Sequence, residues 1–197
     1  MTTEDYRALP LGDLLDRMSA DGLAPGGGSA AALTIAFAAR LVAMVARCSP
    51  AWSDCAGVVA QANAIGERAV ELAQTDGRVW EEALTALRDA EAGEGDDPRT
   101  SFALEQKLEA AAEAPLEIAS LGADAATLAA LASEYGEATY RADAAAAAAL
   151  AAGGTSAAAH LVRVNLGVRR TDARLARALA SENAAYDIAT RLRESPR

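Results

Sequence analysis

An all-α fold, a compact bundle of about six helices, follows from three features of this 197-residue sequence. Hydrophobic residues make up 52% of it but aromatic residues only 4%, so alanine and leucine supply most of the apolar mass. Runs of β-branched residues, which make strands, are nearly absent. Apolar positions recur instead at three- and four-residue spacing. Alanine cores work when helices approach closely over long lengths, because each contact is small. The length suits one domain, residues 1–197.

The elements follow in order. Leu11, Leu14, Leu15 and Met18 predict a short amphipathic helix over about 11–20, which "ADGLAPGGGS" then breaks. From Ser29 to Cys48, alanines surround Leu33, Phe37, Leu41, Met44 and Val45, so this helix belongs near the centre of the bundle. Pro50 ends it, and Ser53 or Asp54 can cap the next helix. That helix runs from about 55 to 91, with Val58, Ile65, Leu72, Val79, Leu84 and Leu87 as core candidates. "AGEGDDPRTS" is a loop. A further helix runs from about Thr100 toward Tyr135, and Pro115 inside it should kink or interrupt it. "RADAAAAAALAAGG" is a strong helix former, expected to stop at Gly153 and Gly154. The last helix is expected from about Thr155 to Arg193, with Leu161, Val164, Leu166 and Val168 on its leading part.

A net charge of −10 argues against nucleic-acid binding, which needs a basic face. Cys48 and Cys55 are not in CxxC spacing, and His160 is the only histidine, so no metal site is expected. The polar start "MTTEDYRALP" lacks a signal-peptide core, and Arg40, Arg47 or glycine break the longest apolar stretches. No membrane span is expected, and a cytoplasmic protein is.

Three consecutive glycines, Gly26 to Gly28, behind Pro25 exceed what a turn needs, since one glycine suffices for that. No lysine follows and no strand precedes them, so this is neither a P-loop nor a dinucleotide fingerprint. Pro25 stiffens the entry, and Ser29 is placed to cap the following helix. Free N–H groups at that helix start favour a carboxylate, phosphate or carbonyl oxygen. The plainer reading is a tight interhelical turn. Asp76, Asp143 and Asn165 are each polar residues isolated among apolar neighbours, which fits solvent, a cap or a ligand; Asp143 can simply complement a helix dipole. His160 invites an acid–base role, but a structural or solvent-facing position fits a lone histidine better. Arg163, Arg169 and Arg170 suit either an anion or surface ion pairs.

Taken in series, these segments resemble the formiminotransferase-cyclodeaminase C-terminal domain family. "APGGGSAAAL…LVAMVARCS" is similar to its opening signature, a PGGGS followed by a small-residue helix and a Met-Val pair. "TDGRVW", "EAAAEAPLEIA", "YGEATYRADAAAAAALAA" and "VRVNLG" resemble its later segments, over about residues 8–190. The family's Gly-Asn-Pro-Asn run is here Gly136-Glu137-Ala138-Thr139, and Gly77 and Arg78 stand where alanine and an acid are usual. The resemblance implies an all-helical homodimer acting on a tetrahydrofolate derivative, with no tightly bound cofactor and no metal. Two reactions are implied: cyclodeamination of 5-formiminotetrahydrofolate to 5,10-methenyltetrahydrofolate with loss of ammonia, or the related cyclohydrolase step. Asp76 and Asp143 are then the catalytic candidates. Pro25, Gly26, Gly27, Gly28, Ser29, Met44 and Asn165 are the substrate-binding ones. A non-catalytic folate-binding dimer of the same fold, and a purely structural dimer, are the alternatives.

Overall fold

A computed structural model describes residues 5–20, 25–92, 98–166 and 171–194. A 3-10 turn at Tyr6–Ala8 precedes α1 (Leu11–Ser19), α2 (Gly27–Arg47), α3 (Cys55–Ala92), α4 (Pro98–Ala111) and α5 (Glu113–Tyr135). A second 3-10 turn at Ala138–Tyr140 leads into α6 (Arg141–Asn165) and then α7 (Ala173–Glu194). No strand occurs among the described residues. The predicted count of six holds if α4 and α5 are taken as one helix interrupted at Ala112.

α2 is the central element, packed against α3, α6 and α5. Its buried side runs from Gly28 to Ala46 and is mostly alanine, with Ile35, Val42 and Val45 fully enclosed. Val58, Ile65 and Leu72 of α3 join this core, as expected. α1 departs from expectation: only Leu14 is buried, while Leu11 and Leu15 face outward. The side chains of Leu84 and Leu87, and Val168, Arg169 and Arg170 altogether, lie outside the described residues.

Gly153 and Gly154 do not end a helix, because α6 continues to Asn165. Gly154 is instead the point where α6 crosses α2. A Cβ there would stand 2.8 Å from Ile35 Cγ1 and 3.0 Å from the Ala31 carbonyl oxygen. Gly122 of α5 offers the second half of the same notch: a Cβ there would strike the Thr155 hydroxyl and come within 2.9 Å of Ile35 Cδ1. The two glycines make room for one isoleucine between three helices. Gly153 faces open space. In urea denaturation, Gly154→Ala should therefore destabilise by about 1–3 kcal/mol through overpacking. Gly153→Ala should stabilise by up to about 1 kcal/mol, since only helix propensity changes.

Three helical stretches, Gly27–Arg47, Glu105–Tyr135 and Ala138–Asn165, are long and apolar enough to cross a membrane, contrary to the expectation from interrupting charges. Their apolarity has a local use: α2, α5 and α6 pack on one another along their lengths. The arginines of α2 lie on its exposed side, where they bond to α3 through Arg40–Asn63 at 2.6 Å and Arg47–Asn63 at 3.3 Å.

Candidate functional site

The glycine stretch forms the start of α2. Gly26 is the N-cap in extended conformation, and no side chain caps the helix. The first intrahelical bond from this end is Ala30 N–H to the Gly26 carbonyl, at 3.0 Å. The N–H groups of Gly27, Gly28 and Ser29 therefore have no partner within the helix, and the positive end of its dipole lies there. The expectation that Ser29 caps α2 is not met. Ser29 sits inside the first turn, fully buried, and its hydroxyl donates to the Ala73 carbonyl of α3 at 2.7 Å. That bond pins the start of α2 to the middle of α3.

One turn further along α3 stands Asp76, and its carboxylate lies against Gly28. A Cβ on Gly28 would collide with all three carboxylate atoms. Gly28 is bare because Asp76 occupies that space. The Asp76 carboxylate makes no hydrogen bond or ion pair with the described residues. Burial pushes its pKa up to about 6, since a charge in this recess loses water without gaining a partner. Uncapped N–H donors and a carboxyl group that titrates near neutrality thus lie side by side.

Together they border a cavity of about 130 Å³. Trp80, one turn beyond Asp76, is half-buried and lines it, as do Leu161 and Val164 of α6. Ala111, Pro115 and Asn165 complete the wall, and their arrangement has a single cause. In an uninterrupted helix the Ala111 carbonyl would accept from residue 115, but proline has no N–H to give. The helix breaks at Ala112, and the Asn165 side-chain amide donates to the Ala111 carbonyl at 2.8 Å. Asn165 is thereby fixed in orientation, with its NH2 donating to the end of α4.

Of the sequence candidates, Gly26, Gly27, Gly28, Asp76 and Asn165 meet at this cavity. Pro25 and Ser29 are buried next to it in sequence. Met44 and Asp143 are not there. Tyr140 contacts Cys48 at the far end of α2, with the Asp143 charge beside it. The 21 residues of α2 span about 30 Å, so one chain does not bring Asp76 and Asp143 together. The Gly136–Thr139 segment also belongs to that far end, where the Glu137 N–H donates to the Ser49 hydroxyl at 2.8 Å. Gly77 lines the cavity, whereas Arg78 is exposed and pairs with Glu82. His160 is exposed. Arg163 pairs with Glu182 of α7 at 2.7 Å, so the surface ion-pair reading accounts for it. Trp80, Leu161, Val164 and Pro115 were not singled out as site residues, although an aromatic one turn after an isolated aspartate was a usable signal for Trp80. Two wider recesses between α3 and α5, about 420 and 460 Å³, are open grooves that contain none of the candidates.

The fold has a solved counterpart. The crystal structure of formiminotetrahydrofolate cyclodeaminase from Thermotoga maritima superposes with a TM-score of 0.79 at 20% sequence identity, covering 94% of this chain and 96% of that one. No curated protein matches by sequence. The family model described as formiminotransferase-cyclodeaminase matches residues 10–185, from α1 into α7 and across every cavity residue. The chain belongs to the formiminotransferase-cyclodeaminase family.

Proposed function

We propose that this protein is a one-carbon folate enzyme acting at the 5,10-methenyltetrahydrofolate node, as a cyclodeaminase or the related cyclohydrolase. The observation that carries this reading is the Asp76 carboxyl, poised near neutral pH against the uncapped start of α2. In cyclodeamination the protonated Asp76 gives its proton to the imine nitrogen of the formimino group. N10 attacks the amidine carbon, and a C–N bond forms at a tetrahedral centre. The carboxylate then moves the N10 proton to the amino group, ammonia leaves, and the methenyl cation remains beside a negative charge. One proton from the acid and one from N10 balance the ammonia. The N–H groups of Gly27 and Gly28 suit the carbonyl of the pterin ring, and Trp80 offers that ring a flat wall.

Assembly enters the same reading. α2 exposes Phe37, with Leu33, Leu41 and Met44 half-exposed along the same side. Neighbouring α6 exposes Ala146, Ala149, Leu150 and Ala157. Exposed apolar residues on two neighbouring helices fit a homodimer. A cavity of about 130 Å³ holds a ring but not a whole folate, and the remainder of the substrate would run across this face.

The test is an assay of 5-formiminotetrahydrofolate turnover by the near-ultraviolet band of the methenyl product, with Gly27→Ala alongside. A Cβ on Gly27 meets nothing closer than Leu161 Cδ1 at 4.0 Å, so the variant should fold as well as the parent or better. Its methyl group enters the cavity, and substrate affinity should fall by about tenfold, roughly 1.4 kcal/mol. Decay of added methenyltetrahydrofolate faster than in buffer alone supports the cyclohydrolase. Binding without turnover supports the non-catalytic alternative, and no binding at all defeats both.

A further inference from the structure

Arg40 and Arg47 of α2 both reach toward α3 and meet on one atom. The Asn63 side-chain oxygen accepts from Arg40 Nη1 at 2.6 Å and from Arg47 Nη2 at 3.3 Å, so two positive charges are drawn to a single neutral oxygen. Gly66, buried on α3, makes room for the first of them. A Cβ on Gly66 would stand 3.2 Å from Arg40 Nε and 3.6 Å from its Cζ. Gathering two like charges is unfavourable, and a neutral amide offsets it less than a carboxylate would. Carboxylates are not scarce in a chain of net charge −10, and Arg68, Arg163 and Arg174 each hold one at 2.6 or 2.7 Å. Arg40 has Glu67 only at 3.8 Å, and Arg47 pairs with no carboxylate among the described residues. Asn63 is half-buried while both arginines are exposed, so an incoming group can reach the guanidinium donors that Asn63 does not use.

We propose that Arg40 and Arg47, held together by Asn63, form a carboxylate-binding pair that takes the glutamate end of the folate substrate. The inference rests on the folate reading of the cavity. A carboxylate brings two oxygens, one for each guanidinium, where a single amide oxygen now serves both. Asn63 and Asp76 are about 20 Å apart along α3. An extended folate carries its glutamate carboxylates a comparable distance from the ring that the cavity would hold. Both arginines stand at the α3 edge of the outward stripe of α2, which carries exposed Phe37 and half-exposed Leu41 and Met44. That is the face across which the arm of the substrate would leave a cavity too small for it.

The test reads the arginines directly and does not depend on turnover. The protein is labelled with 15N at arginine Nε, and the Arg40 and Arg47 resonances are assigned by their loss in Arg40→Gln and Arg47→Gln. On addition of 4-aminobenzoylglutamate, the arm without the ring, both resonances should shift together and saturate. Its diamide, with both carboxylates neutralised, should shift neither. No saturable shift with the free acid overturns the proposal. So does an equal shift with the diamide, which removes the carboxylate from the recognition. Saturation by inorganic phosphate at lower concentration than by the arm would assign the pair to a free anion and overturn the glutamate assignment. In turnover, the Arg40→Gln/Arg47→Gln double variant should raise KM by about tenfold and leave kcat within about twofold. The rise should be absent for the tetrahydropteroate analogue of the substrate, which lacks the glutamate. An equal rise for both substrates would mean that only the α2–α3 contact was loosened, and overturns the proposal. Saturable shifts in a protein that turns over no folate remove the folate reading and leave a carboxylate site; turnover without any shift leaves the reading and removes the pair.

Discussion

Asp76→Asn is expected to abolish turnover and, at the same time, to make the protein more stable at neutral pH. The two effects share one cause. Asp76 lies half-buried against Gly28 without a bonding partner among the described residues, and burial raises its pKa from 3.8 to about 6. Between those values the folded protein holds a proton that the unfolded chain has released. Stability therefore falls as pH rises from about 4 to about 6, and the full cost of the buried charge is present at pH 7.5. Asparagine has nearly the same shape and carries no charge at any pH. The melting temperature of Asp76→Asn should exceed that of the parent by about 2–6 °C at pH 7.5, with the difference vanishing below about pH 4. Turnover should drop by about a hundredfold to ten-thousandfold, the usual contribution of a positioned acid–base group. A variant that is inactive but no more stable at pH 7.5 would mean that Asp76 is not held in the dry state described above. A stabilised variant that keeps full turnover would remove it from the chemistry.

That a carboxylate, three glycines and an amide would converge was partly legible in the sequence, because each broke a local rule. Gly26 to Gly28 spend more backbone freedom than a turn requires, and Asp76 and Asn165 interrupt apolar helices. What could not be read was the partner that explains each. Gly28 is bare because of a side chain 48 positions later, and no local pattern reports that. Pro115 correctly predicted a break, but the destination of the freed Ala111 carbonyl depended on where α6 ends. Gly153 and Gly154 looked like a helix stop because glycine serves both as terminator and as close-contact residue. Only the position of Ile35 decides between them.

The separation of Asp143 from Asp76 leads to the second large effect, a recovery of activity on mixing two inactive proteins. Phe37 is the most exposed large hydrophobic residue of α2 and lies at the middle of that helix. If two copies meet on this face about a two-fold axis crossing α2 near Phe37, their α2 helices run antiparallel. The Gly27 end of one chain then faces the Met44 end of the other, and Asp143 comes with it. Each dimer would hold two sites, each taking Asp76 from one chain and Asp143 from the other. Asp76→Asn and Asp143→Asn alone should both be nearly inactive, because every site lacks one carboxylate. Co-expressed in equal amounts, half of the dimers combine the two variants. Each such dimer has one doubly altered site and one intact site, so about a quarter of parental activity should return. A site confined to one chain gives no recovery, since every chain in the mixture carries a defect. Full activity in Asp143→Asn would show that Asp143 serves only the start of α6. A Phe37→Glu change should suppress the recovery by placing two like charges near the axis, which ties the shared site to this face and not to another contact.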